Sequence, residues 1–317
     1  MKKALFSGIT LLVLVIVASA YLCLRQKSIL HASQNGIDGE QFYVTSWGDK
    51  GNSDQILTAP RAIASGPDLC IYVTDVDTRR VIQYTADGKM INSWGQDGVG
   101  PGKFRAPSGI AVDKTGKVYV TDMANNCVQV FTAEGNFIQL WGSNDGSPSY
   151  SDDGFSTPIA IASSDDGSIF VLDSGSFSVK KFSPSGVFLT RFGSKGDHDG
   201  QFKSLCSITL DHAGKVFVLD NLNNSVVRFS STGKFEKSWK TKNHACSIAS
   251  DHIGNIVAKG SNSVFIYSAD GAVIRKIMLL GKIGSVHTSI TIDKQEYVYI
   301  SCELAHSVTR YKPFAMN

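Results

Sequence analysis

The 317 residues are 42% hydrophobic, enough for a large core, and 31 basic against 28 acidic side chains leave a formal charge of +3. This balance, with no basic run along the chain, excludes a protein that tracks nucleic-acid phosphates, which needs concentrated positive charge. Thirty glycines and a 10% aromatic share favour many short strands joined by tight turns over helices.

At the N-terminus, Lys2 and Lys3 precede an apolar run from Ala4 to Leu24, with Ala18-Ser19-Ala20 as a small-residue cleavage site. The pattern predicts export, with residues 1–24 read as a signal peptide or an N-terminal membrane anchor. Cys23 lacks the small residue that precedes a lipidated cysteine. The expected setting is extracytoplasmic, periplasmic or secreted, with membrane contact only through this segment. Residues 25–40 read as a linker, 41–312 as one folded domain and 313–317 as a tail.

The domain is built from a repeat. An apolar strand begins near Pro60, Pro107, Pro158, Leu205, Ala245 and His287, and a second strand ends fifteen residues later in each copy. Four copies end that strand on aspartate: Asp75, Asp122, Asp173 and Asp220. The last two carry Gly260 and Cys302 there instead. A third strand closes on Tyr84, Phe131, Phe182, Phe229, Tyr267 or Tyr311. A turn glycine then leads to a fourth strand ending on Trp94, Trp141, Phe192 or Trp239.

The sixth copy stops without a fourth strand. Gln41 to Trp47 supplies one, because Trp47, Trp94 and Trp141 are each 47 residues apart. The expected fold is all-β: a six-bladed β-propeller of four-stranded antiparallel blades, its ring closed by an N-terminal outer strand.

Gly102-Lys103-Phe104-Arg105-Ala106-Pro107-Ser108-Gly109-Ile110-Ala111-Val112-Asp113, running on to Val118-Tyr119-Val120-Thr121-Asp122, resembles an NHL repeat. The resemblance extends over roughly residues 40–312 and is strongest in the first four copies.

In such a blade, the head of the innermost strand and the loop after the second strand share one face, at the mouth of the central channel. The strand-head positions are Arg61, Ser108, Ile159, Cys206, Cys246 and Thr288. From these and the adjoining loops, Arg61, Asp77, Arg79, Asn125, Phe177 and Glu303 are the expected ligand-binding residues.

The four strand-end aspartates could be read as a metal or acid–base set. One identical residue per blade instead suggests a cap that accepts loop amides. His244, His287 and His306 map to the mouth side of blades five and six and, with Glu303, offer imidazoles and a carboxylate to zinc. Asp197-His198-Asp199-Gly200 has the oxygen content of a calcium loop without the full ligand spacing, and reads as a turn. His212 and His252 fall in turns on the opposite face.

The six cysteines form no CxxC pair. Cys206 and Cys246 are expected as buried free thiols, and Cys302, near His306, is a conceivable nucleophile.

Repeated blade cores with unequal mouth loops point to a monomeric platform that binds a protein, peptide or glycan and requires no cofactor. The long polar connection from Ser143 to Ser156, containing Tyr150, Asp152 and Asp153, is an expected contact loop. The alternative implied by the resemblance is a metal-dependent lyase or hydrolase, as in peptide-amidating lyases and lactonases of six-bladed fold. The sequence does not reproduce a histidine in each of three alternate blades.

Overall fold

A computed structural model describes residues 37–48, 57–143, 145–279 and 288–314. The proposed signal or anchor, most of the linker and His287 lie outside the described residues.

Six antiparallel sheets of the expected strand order stand in a ring. Their innermost strands are Pro60–Ser65, Pro107–Val112, Pro158–Ser163, Leu205–Leu210, Ser247–Ser250 and Thr288–Ile292. The second strands, such as Val118–Asp122, are buried along their whole length because both faces meet neighbouring blades. Outer strands such as Phe137–Gly142 are largely exposed, with Trp141 the buried residue. A sheet covered on both faces needs a continuous apolar run, and one at the rim does not.

The strand-end aspartates are caps. Asp122 accepts the backbone N–H groups of Arg105 (2.8 Å) and Ala106 (3.0 Å) from the incoming connection, and those of Ala124 and Asn125 from its own turn. Asp75 and Asp220 make the same pattern of bonds, and Asp173 accepts from Ser156. Where Gly260 stands in the fifth blade, the Asn243 side chain donates to the Ala258 and Ser263 carbonyls instead.

Adjacent blades are joined in two ways. Each outer aromatic packs over the turn glycine of the next blade: a Cβ added at Gly135, whose φ is +83°, would lie 2.5 Å from the Trp94 ring. Only glycine supplies both the left-handed turn and the space. Near the channel, hydroxyl side chains replace ladder bonds. Ser207 accepts the Ile248 N–H (3.2 Å), Ser247 accepts the Ile290 N–H (3.2 Å), and Ser108 donates to the Pro158 carbonyl (3.0 Å). These contacts occupy backbone groups on otherwise open strand edges.

Tyr43–Trp47 pairs antiparallel with Ser307–Tyr311, so the N-terminus completes the sixth blade. Order extends past both expected boundaries. Ile37–Asp38 adds a parallel fifth strand beside Ile277 and Met278, inside the stretch expected as linker. In the expected tail, Phe314 is 2% exposed and packs edge-on against Phe42 at 5.5 Å. Those two rings fill the seam between the fifth and sixth blades.

Candidate ligand-binding channel

A cavity of about 560 Å³ occupies the middle of the ring, with wall residues from all six innermost strands. The six strand-head residues Arg61, Ser108, Ile159, Cys206, Cys246 and Thr288 all line it. A β-bulge explains how three of them are aimed inward. In the first blade Pro60 pairs with Asp75 and Ala62 with Thr74, which leaves Arg61 as the extra residue. Ile159 and Cys206 are the extra residues of the same irregularity in blades three and four. A residue omitted from the ladder is free to turn out of the sheet.

Arg61 is the one charged side chain among the described wall residues. It is half-buried and makes no hydrogen bond or ion pair among the described residues. Across the ring, Cys206 donates its thiol hydrogen to the Cys246 carbonyl (3.1 Å). Burial pushes the Cys206 thiol up to about 12; Cys246 adds to this, and Arg61 pulls the other way. Cys206 is therefore a neutral wall group. The Cys246 thiol lies 2.9 Å from the Thr288 hydroxyl. Neither cysteine is in a disulfide, and buried Cys302, also outside any disulfide, is not among the described wall residues.

The other expected ligand residues surround the mouth without lining the cavity. Arg79 folds back on its own turn, donating to the carbonyls of Val76 (2.8 Å) and Asp77 (2.7 Å), and its Nε lies 3.4 Å from the Asp97 carboxylate. Asp77 is exposed. Asn125 is buried and spends its amide on the Gly98 carbonyl (2.9 Å) and Asp122 (2.8 Å). The Phe177 ring lies under the Lys195 ammonium at 5.2 Å, and the Glu303 carbonyl accepts the His306 N–H.

Much of this set consists of turn residues. Arg79, Asn126, Phe177, Asn224 and His306 each stand four residues past the second-strand end, and all adopt positive φ, between 49° and 56°. Sequence reasoning missed Ser174 and Asn221, which line the cavity immediately after Asp173 and Asp220. Their signal was the position following the cap.

The described residues do not assemble a donor set for zinc or calcium. His306 Nδ1 bonds the Thr58 carbonyl, His244 stands exposed, and His287 lies outside the described residues. No group of three or more His, Cys, Asp or Glu side chains converges among the described residues. In the Asp197–Gly200 turn, His198 donates its N–H to the Gln201 side chain and Lys203 pairs with Asp197. On the opposite face, His212 and His252 bridge neighbouring blades, each 2.8 Å from a carboxylate, Asp165 and Glu296.

Residues 104–131, from Phe104 through the third strand of the second blade, match the family model of the NHL repeat. The chain is a six-bladed β-propeller whose second blade carries an NHL repeat. This propeller is similar in fold to a gluconolactonase from Xanthomonas campestris, with a TM-score of 0.60 and 14% identity over 81% of this chain and 86% of that one. It is similar also to virginiamycin B lyase from Staphylococcus aureus, with a TM-score of 0.59 and 12% identity over 84% of this chain and 98% of that one. A streptogramin B lyase structure matches with a TM-score of 0.59 and 13% identity over 87% and 99% of the two chains. No curated protein matches the chain by sequence. Identities this low carry the fold and leave the chemistry to the site.

Proposed function

We propose that this propeller is an extracytoplasmic ligand-binding module that takes an anionic group at its channel mouth through Arg61. The observation that carries the reading is a single half-buried guanidinium, without hydrogen-bond or ion-pair partner among the described residues, on the wall of a cavity of about 560 Å³. A half-enclosed cation is satisfied by an incoming anion, and its planar donors suit a carboxylate. The volume suits a small molecule. The N-terminal apolar run supports export. The exposed Tyr150 and Leu222 beside the mouth support a broader platform role toward a protein, peptide or glycan.

The test is calorimetric titration of the full chain with acetate, phosphate and citrate, beside the Arg61→Gln variant. Saturable binding of at least one anion, weakened tenfold or more by Arg61→Gln at an unchanged melting temperature, is expected. Absence of binding, or equal binding by the variant, overturns the reading.

A second reading, a lyase or hydrolase, draws on the fold shared with the gluconolactonase and lyases above. Turnover of a sugar lactone or of virginiamycin B by the full chain would bring it forward. The described His, Cys, Asp and Glu side chains do not converge on a metal-binding set.

A further inference from the structure

We propose that the channel ligand is a small monocarboxylate with an apolar body, its carboxylate on Arg61 and its body against Ile159, Leu205 and Cys206; the proposal rests on the anion-binding reading above. Charge sets the first constraint on the ligand. Arg61 is the one charged group on the described wall, so the site neutralises a single negative charge. A second charge on the ligand would enter a half-enclosed space without a partner, which is costly. Phosphate monoesters carry about −1.5 to −2 near neutral pH and are disfavoured on that ground. Among the described wall residues there is no carboxylate, so a free amino acid would bring an ammonium with nothing to meet it.

The shape of the wall supplies the rest. Blades three and four stand across the ring from Arg61, where Ile159, Leu205 and the neutral Cys206 thiol line the cavity beside the polar groups of Ser174, Ser204, Ser207 and Asn221. Ile159 and Cys206 reach the cavity by the same bulge that delivers Arg61, so cation and apolar groups stand at one level of the channel. Just inside, Ala62 and Ala160 are small wall residues. A carboxylate at one side and hydrocarbon at the other fit this arrangement. A polyanion does not.

The experiment titrates the full chain with acetate, butanoate and hexanoate, and separately with leucine, N-acetyl-leucine, phosphate and a peptide of eight residues ending in leucine. Affinity is expected to rise about fourfold per methylene along the fatty-acid series, the factor that corresponds to burying one CH₂. N-acetyl-leucine should bind at least tenfold tighter than leucine or phosphate. Arg61→Gln should abolish binding across the series, and Ile159→Asn should flatten the chain-length dependence while acetate binding persists. Both variants should keep the parent melting temperature, which separates lost binding from lost folding.

Phosphate binding as tightly as hexanoate, or a flat fatty-acid series, overturns the monocarboxylate class while leaving the anion reading in place. The peptide binding tenfold tighter than N-acetyl-leucine overturns the small-molecule assignment in favour of a chain terminus. Arg61-independent binding of every probe, or binding of none, removes both readings.

Discussion

Asp122 shows how one side chain is committed several times over. It is fully buried and accepts backbone N–H groups from the connection before its blade and from its own turn. Asp122→Ala should cost about 2–3 kcal/mol, since buried donors lose their acceptor together. Asp122→Asn, which keeps one acceptor oxygen, should cost less than half of that in urea melts. Asp173 differs because Lys180, also fully buried, lies 3.2 Å away and ties down the carbonyls of Ser151 and Gly154. Burial holds the Asp173 carboxyl above the ordinary carboxylate range, against the pull of Ser176 and Lys180. The folded chain then retains a proton that the unfolded chain has released, so stability falls as pH rises through that interval. In melts from about pH 3 to about pH 7, the stability of the parent relative to Asp173→Asn should fall as pH rises. Phe177 makes a third case: its φ of +50° suits asparagine, the residue its counterparts Asn126 and Asn224 carry. Phe177→Asn should raise stability by about 1 kcal/mol.

Strands and turns in this ring are stabilised by the next blade as much as by their own. The fourth strand matters through its aromatic end, and the hairpin that follows in the next blade matters through its glycine. Gly135→Ala should cost about 2–3 kcal/mol, because the added methyl meets the Trp94 ring and the turn requires positive φ. The closing strand follows the same logic. A chain beginning at Gly48 loses the pairing of Tyr43–Trp47 with Ser307–Tyr311 and also the Trp47 ring, 6% exposed, that packs on Tyr84 and Tyr299. It should melt far below a chain beginning at Ile37. Equal melting temperatures would refute the closing role.

Across the whole molecule, the two faces divide the labour. The mouth gathers Arg61, the bulged strand heads and the long connection pinned by Lys180, while the opposite face carries short turns joined by His212–Asp165 and His252–Glu296. Both histidines are exposed, so their loss should leave melting temperature and mouth binding nearly unchanged. Titration of His212→Ala and His252→Ala beside Arg61→Gln checks this. Binding lost in the histidine variants and kept in Arg61→Gln would place function on the other face.

The blade number, the capping aspartates and the closing strand were legible in the sequence because each leaves a repeated mark. Strand spacing, the residue after a strand and the tryptophan interval are local quantities that a linear chain records. The six strand-head positions followed from the same register. Their inward aim at Arg61, Ile159 and Cys206 did not, since a bulge is a mismatch between two strands and exists only once they pair. The partners of Arg79, Asn125 and His306 were equally hidden: each side chain is occupied by a carbonyl that folding brings beside it. Phe314 and Ile37 read as tail and linker because nothing in their own neighbourhood repeats; the seam between the fifth and sixth blades gives Phe314 its place, and the open edge of Val273–Met278 gives Ile37 its own. Periodic sequence determined the ring, and contacts between distant segments decided which of its groups remain free to meet a ligand.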